Sequence, residues 1–322
     1  MSDLLRSIDA RTKLAGTNKL EILMFSLGED QRTRRRETFG INVFKVREVM
    51  RTPPITAAPE MPAAVEGMVS LRGALVPVVD LAKYAGIQAV TPRDIMIVTE
   101  YNGRTQGFLV EAVDTILRLD WSMMRVPPEM LMAQMGGLVT AVTELDDGRL
   151  VMMMDVEKVL SETTRYDDDF LYRSIVPINR PDCTVFYADD SIVARKQIEK
   201  TLDAMGVKGI GSINGGKAWE ELDKIAAYAA SMGKTAVDVV QLILTDIEMP
   251  EMDGYILTKK IKSDPRFAGI PVIMHSSLSG MSNQKLGQSV GVDEYVSKFE
   301  PQRLSETIVR RLGIDGPLAL PG

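Results

Sequence analysis

Gln241-Leu242-Ile243-Leu244-Thr245-Asp246-Ile247-Glu248-Met249-Pro250-Glu251-Met252-Asp253-Gly254 is a stretch that runs apolar, ends on a carboxylate and breaks at proline and glycine. It reads as a buried strand stopping in a loop, with Asp246 at its carboxyl end. Working outward, the run Cys183-Thr184-Val185-Phe186-Tyr187-Ala188 also ends in acid, at Asp189 and Asp190, ahead of a helix opened by Ser191. Downstream, Val272-Ile273-Met274-His275 ends at Ser276, and Tyr295-Val296-Ser297 ends at Lys298. Strands alternating with helical patterns predict a parallel, doubly wound sheet, and such sheets place their sites at the carboxyl ends of the strands. Three acids, a hydroxyl and an ammonium are thereby expected in one crevice.

Three carboxylates together repel unless one is protonated or a hard cation sits among them, and oxygen ligands with room for water suit magnesium. A lysine and a hydroxyl beside such an ion would hold the oxygens of a transferring phosphoryl group. Over about residues 183 to 315 this arrangement resembles the receiver domain of two-component response regulators. The resemblance implies a flavodoxin-like (βα)5 fold with Asp246 as phosphoacceptor. It also implies that Asp189, Asp190 and the backbone carbonyl of Glu248 join Asp246 around Mg2+. Ser276 and Lys298 would then bind the phosphoryl group, and Tyr295 occupies the switch-aromatic position. One departure stands out: Lys298 is followed by Phe299-Glu300-Pro301, where receivers usually have proline directly after the lysine. A plainer reading makes Asp189, Asp190 and Asp253 helix caps and turn residues, and it suits Asp253 best.

At 322 residues the chain is long enough for two domains of roughly 100 to 200 residues each, and with 45% hydrophobic residues both can bury a core. Net charge is −6, and Arg32-Thr33-Arg34-Arg35-Arg36 is the one basic run, so no nucleic-acid footprint is expected. A single cysteine, Cys183, opens a buried strand, which leaves no disulfide framework or thiolate metal site and suits the cytoplasm. No apolar run approaches the roughly 20 residues of a membrane span, so membrane association is expected through a partner and not by direct insertion. The single histidine, His275, ends a strand and alternation turns it away from Ser276. It reads as a packed strand residue, unlike the exposed helical histidine a phosphotransfer domain needs.

In the N-terminal half, residues 2 to 15 show helical spacing. Leu20 to Leu27 and Phe39 to Val49 read as strands around a polar, arginine-bearing loop. From Gly67 to Leu81 two strand-like runs flank Arg72-Gly73, a hairpin signal. Further strands are expected at Asp94 to Thr99, Gly107 to Val113 and Leu138 to Thr143, and a hairpin at Asp146-Asp147-Gly148 leads into Leu150 to Met154, with a helix from Val156. Many short strands with turns between them argue a β-barrel architecture. Phe39-Gly40-Ile41-Asn42-Val43-Phe44-Lys45-Val46-Arg47-Glu48-Val49, Val69-Ser70-Leu71-Arg72-Gly73 with the following Val76-Pro77-Val78-Val79-Asp80, and Gly107-Phe108-Leu109-Val110 resemble the CheW family of chemotaxis coupling proteins, over about residues 18 to 162. The resemblance implies an all-β domain of paired five-stranded barrels, without catalytic activity, that binds the kinase CheA and the cytoplasmic signalling tips of chemoreceptors. Arg72 would be a partner-binding position; read plainly, it is a solvated turn residue. Met123, Met124, Met130, Met132, Met135 and Met152-Met153-Met154 could form an adaptable surface, but core filling is expected of most.

The organisation expected is a coupling domain over 1–162 with its N-terminal helix, a linker over 163–182, a receiver over 183–315 and a tail over 316–322. The linker's Phe170-Leu171-Tyr172 could dock on either domain. Inside the receiver, Ala218, Leu222, Ile225, Ala226 and Ala229 form one face of a helix in a segment running to Gly233. The two parts together resemble the CheV proteins. That implies an adaptor between chemoreceptors and CheA, at membrane-bound arrays, regulated by phosphorylation of Asp246 and not an enzyme. One alternative is a phosphate sink for CheA. Another is a magnesium-dependent phosphatase using an aspartyl phosphate; its second acid would be Glu248, but Met249-Pro250 replaces the glycine turn such enzymes need. A DNA-binding regulator would need a further helical domain, for which no chain remains.

Overall fold

Apolar runs without alternation, such as Ile22 to Phe25, become strands buried on both faces. The computed structural model describes residues 19–57, 59–89, 91–101, 104–163, 169–277 and 287–314. The helix expected over 2–15 and the tail at 316–322 lie outside these. The chain divides into two compact units, one of them Lys19–Tyr166 and the other holding the chain from Asp167 onward.

The first unit holds two five-stranded sheets. One has the order β8-β1-β2-β10-β9, from β1 (Lys19–Glu29), β2 (Arg36–Asn42), β8 (Ala112–Asp120), β9 (Val139–Glu144) and β10 (Leu150–Met154). The other has the order β3-β6-β7-β5-β4, from β3 (Val46–Arg51), β4 (Val65–Leu71), β5 (Ala74–Asp80), β6 (Ile95–Tyr101) and β7 (Arg104–Val110). A single bridge joins the edges of each: Arg125, just beyond β8, pairs with Val142 of β9, and Thr56, just beyond β3, pairs with Met68 of β4. Closing a sheet on itself removes exposed edges, which is the reason small all-β domains adopt barrels. Leu20, Ile22 and Met24 pack with Ala141, Val151 and Met153 on one face of the first sheet. Leu23, Phe25 and Leu27 take the other face, in a core shared with Val79, Ile97 and Phe108 of the second sheet, where Phe25 and Phe39 stack at 6.0 Å.

Two expectations are corrected here. Phe39 to Val49 is not one strand: the Asn42 side chain accepts the Phe44 N–H at 3.0 Å and caps a 3-10 turn over Val43–Lys45, which carries the chain from the first sheet to the second. The run Gly107 to Val113 divides at Glu111 into β7 and an unanticipated β8. Glu111 is held by the Ser26 hydroxyl at 2.8 Å and Arg36 at 3.0 Å, and β8 shows no clean alternation of buried and exposed residues. Short helices α1 (Leu81–Tyr84) and α2 (Glu129–Gln134) come after β5 and β8, and helix α3 (Val156–Thr163) follows β10, its start fixed by Asp155, which accepts the N–H groups of Glu157 and Lys158.

The second unit is a five-stranded parallel sheet in the order β12-β11-β13-β14-β15. Its strands are β11 (Arg180–Ala188), β12 (Val207–Ser212), β13 (Leu242–Thr245), β14 (Val272–Ser276) and β15 (Glu294–Ser297). Helices α5 (Ile192–Met205) and α8 (Pro301–Arg311) cover one face through Ile198, Leu202, Leu304 and Ile308. Helices α6 (Gly215–Ser231) and α7 (Gly254–Ser263) cover the other through Ala218, Leu222, Leu257 and Ile261. This is the doubly wound fold, in which both faces of a parallel sheet are buried. Ahead of it, α4 (Asp169–Tyr172) leads to Ile175, which is buried in the core under α5 and α8. Tyr172 carries the Lys200 ammonium over its ring at 5.5 Å, so the linker's apolar part packs on the receiver.

Candidate functional site

Backbone hydrogen bonds continue one residue past the strand ends. The Asp189 N–H donates to the Ser212 carbonyl at 3.2 Å, Asp246 to Ala188 at 2.9 Å, and Lys298 to Ser276 at 3.1 Å. The side chains of these positions therefore emerge together. Lys298 Nζ lies 2.9 Å from Asp246 Oδ2 and 2.9 Å from Asp189 Oδ2. All three residues are buried, Lys298 with 2% of its surface exposed. A lysine withdrawn from water this far keeps its charge only because both carboxylates face it.

The remaining carboxylate oxygens are also fixed. Asp246 Oδ1 accepts the Ile247 N–H at 2.7 Å, and Asp189 Oδ1 accepts the Ser191 N–H at 2.9 Å. Arg195 Nη1 donates to the carbonyls of Asp189 and Asp190 at 2.7 and 3.0 Å, clamping the acidic turn. Carboxylate oxygens of Asp189, Asp190 and Asp246 all lie within 4.8 Å of one another. Three carboxylates against one ammonium leave excess negative charge, and an all-oxygen donor set suits a hard divalent cation, not a thiophilic metal.

The loop after Asp246 is shaped for close approach. A Cβ on Gly254 would come within 1.9 Å of the Asp246 carbonyl oxygen, so only glycine fits there. Asp253 caps α7 by accepting the Ile256 N–H at 2.7 Å, as the plain reading had it. Glu248 lies in the same loop and is largely buried, Ser276 is buried at the end of β14, and His275 is buried. Tyr295 pairs with Met274 across the ladder, and its hydroxyl is hydrogen-bonded to that of Tyr255 at 3.2 Å. Burial pushes the Tyr295 hydroxyl up to about 12 and that of Tyr255 higher still. Phe299, in the position usually held by proline, has φ of 65°, and Pro301 opens α8. Sequence reasoning passed over Arg195 and Tyr255. Arg195 stands in the first turn of the helix after the acids, and Tyr255 directly follows the Asp253-Gly254 turn.

In the first unit, Leu71 pairs with Ala74, and Arg72 and Gly73 have φ of 50° and 85°. Two positive φ values make this a type I′ hairpin turn. The Arg72 side chain is 69% exposed and reaches Glu48 of β3 at 3.0 Å. Met124, Met152, Met153 and Met154 are core residues, whereas Met123 and Met130 are exposed. Met123 and Met135 line a cavity of about 890 Å³ with Arg32, Arg35 and Arg125.

A family model described as a CheW-like domain matches residues 21–164, and one described as a response regulator receiver domain matches residues 185–309. The chain is 28% identical to chemotaxis protein CheV1 of Helicobacter pylori, over 96% of this chain and 98% of that one. It is 31% identical to a probable chemotaxis protein CheW of Rhizobium etli, over 44% of this chain and 88% of that one. To chemotaxis protein CheY1 of Helicobacter pylori it is 35% identical, over 39% of this chain and 93% of that one. No helix among the described residues is long and apolar enough to cross a membrane. With a CheW-like domain followed by a receiver domain, and a CheV relative matched along nearly its whole length, the chain belongs to the CheV proteins of chemotaxis.

Proposed function

We propose that this protein is a cytoplasmic adaptor that couples chemoreceptors to the histidine kinase CheA, and that a phosphoryl group carried on Asp246 regulates the coupling. The observation that carries this reading is the buried Lys298 ammonium, 2.9 Å from both Asp246 and Asp189 at the carboxyl edge of a parallel sheet. In transfer from a CheA phosphohistidine, an Asp246 carboxylate oxygen bonds to phosphorus as the N–P bond breaks, its electron pair returning to the imidazole. Lys298 and the Ser276 hydroxyl meet the oxygens of the incoming group. Asp189, Asp190, Asp246 and the Glu248 backbone carbonyl would hold a magnesium ion, which when bound offsets the charge crowded there. Ile247 and Ser191 keep the carboxylates oriented through their N–H groups.

The receiver assists its own phosphorylation and dephosphorylation and turns over no external substrate. Arg72, at the hairpin tip of the coupling domain, contributes to partner binding, and attachment to receptors brings the protein to membrane-bound arrays. Labelling by phospho-CheA or a small phosphodonor is expected only with magnesium, and is expected to vanish in Asp246→Asn. Undiminished labelling of that variant would sink the assignment.

A further inference from the structure

Behind the acidic crevice two phenols meet. Tyr255 lies in the first turn of α7, is 3% exposed, and packs with Ile247 and Met274 in a small cluster that Val290, Val292 and Tyr295 complete. Ile247 is also the residue whose N–H holds Asp246 Oδ1 at 2.7 Å. The Tyr255 and Tyr295 hydroxyls lie 3.2 Å apart, Tyr255 buried and the Tyr295 ring half-buried against this cluster. Gly287 gives a second, independent observation. A Cβ there would fall 2.3 Å from Tyr295 Oη and 2.4 Å from its Cε2, so the ring occupies space that any other residue at 287 would fill. The Gly287 N–H is itself hydrogen-bonded to the Tyr295 hydroxyl.

We propose that Tyr255 is a positioning residue, latching Tyr295 in its place against the Ile247 cluster before any phosphoryl group arrives. This rests on the reading of Asp246 as the phosphoacceptor. The buried Tyr255 hydroxyl is favourable only while it is hydrogen-bonded, so swinging Tyr295 out gives up a bond made on the buried side of the pair. A phosphoryl group that draws Ser276 toward Asp246 needs an aromatic side chain to fill the space behind it. With Tyr295 already in place, that binding is not reduced by the fraction of molecules holding the ring elsewhere. The latch thus sets the free receiver close to its phosphorylated arrangement, and loosening it weakens phosphoryl binding without touching Asp246, Ser276 or Lys298.

The test uses the full chain carrying 3-fluorotyrosine, with the Tyr295 resonance assigned by its loss in Tyr295→Phe. Fluorine NMR and the affinity for beryllium fluoride with magnesium are read in parallel. The wild type is expected to show Tyr295 in a single environment, that of the ring packed against the cluster. Tyr255→Phe keeps the ring but not the hydroxyl; it is expected to move that resonance toward the exposed position and weaken beryllium fluoride about threefold to tenfold, the factor one ordinary hydrogen bond supplies. Gly287→Ala is expected to do the same by filling the space. A wild-type Tyr295 resonance already at the exposed position, or a Tyr255→Phe variant that moves neither reading, overturns the latch. A wild type that fails to bind beryllium fluoride overturns the Asp246 reading instead, and the resonance position in Tyr255→Phe then decides the latch alone.

Discussion

Phe299 holds a left-handed conformation, φ 65°, which a bulky side chain adopts only at a cost of roughly 1–3 kcal/mol. It stands between Lys298, which must stay buried against two carboxylates, and α8, which starts two residues later. The turn at Phe299 lets the chain leave β15 and enter the helix without moving the ammonium. At ordinary helix or strand positions alanine is more stable than glycine by about 0.5–1 kcal/mol. At 299 the order is expected to reverse, Phe299→Gly exceeding Phe299→Ala by about 1 kcal/mol in urea unfolding of the receiver. The usual order would mean that the loop relaxes out of this conformation. That Phe299 replaces a proline was legible in the sequence; its backbone conformation was not, because no glycine or asparagine marks it. The acids and Lys298 were legible because each ends an apolar run, and strand ends converge in a parallel sheet. The Tyr255–Tyr295 bond was not, since the two lie on different elements and nothing local to either points to the other.

Among the elements, the β4–β5 hairpin ties the reading of the coupling domain to physical chemistry. Its two-residue turn needs positive φ at both central positions, which favours glycine or asparagine, yet Arg72 occupies the first. Its ion pair with Glu48 is largely exposed, and exposed pairs contribute about 0–1 kcal/mol. Arginine is thus not the residue that stability alone would select. Arg72→Gly is expected to leave thermal stability unchanged or raise it by up to about 1 kcal/mol, while reducing co-sedimentation with receptors and CheA. A variant that melts earlier and binds normally would make Arg72 structural. This hairpin was legible because Arg72-Gly73 sits between clean strand runs. The break at Asn42 and the strand from Ala112 were not: apolar residues flank both, and a strand that changes sheets keeps its composition while changing its partners.

At the scale of the whole molecule, each unit has its own buried core, and Tyr172, Ile175 and Ile178 of the linker belong to the receiver's. Ile175 is 6% exposed and packs beneath α5 and α8. Ile175→Ala is expected to destabilise the receiver by about 2–4 kcal/mol and leave the coupling domain's unfolding transition in place. A shift of both transitions, or of neither, would contradict this packing. The sequence left the docking of the linker open because an apolar triplet names no partner; only the three-dimensional arrangement of α5 and α8 does. Regulation requires more than packing, since a phosphoryl group alters coupling only through a difference in affinity between two states. Its most direct measurement is co-sedimentation of the full chain with receptor-bearing membranes and CheA, with and without beryllium fluoride and magnesium, beside Asp246→Asn. The sedimenting fraction's affinity is expected to change by roughly fivefold or more, the lower range of allosteric couplings, and Asp246→Asn is expected not to respond. Equal co-sedimentation in both conditions, with the fluoride bound at Asp246, would contradict regulated coupling and leave the receiver a phosphate sink.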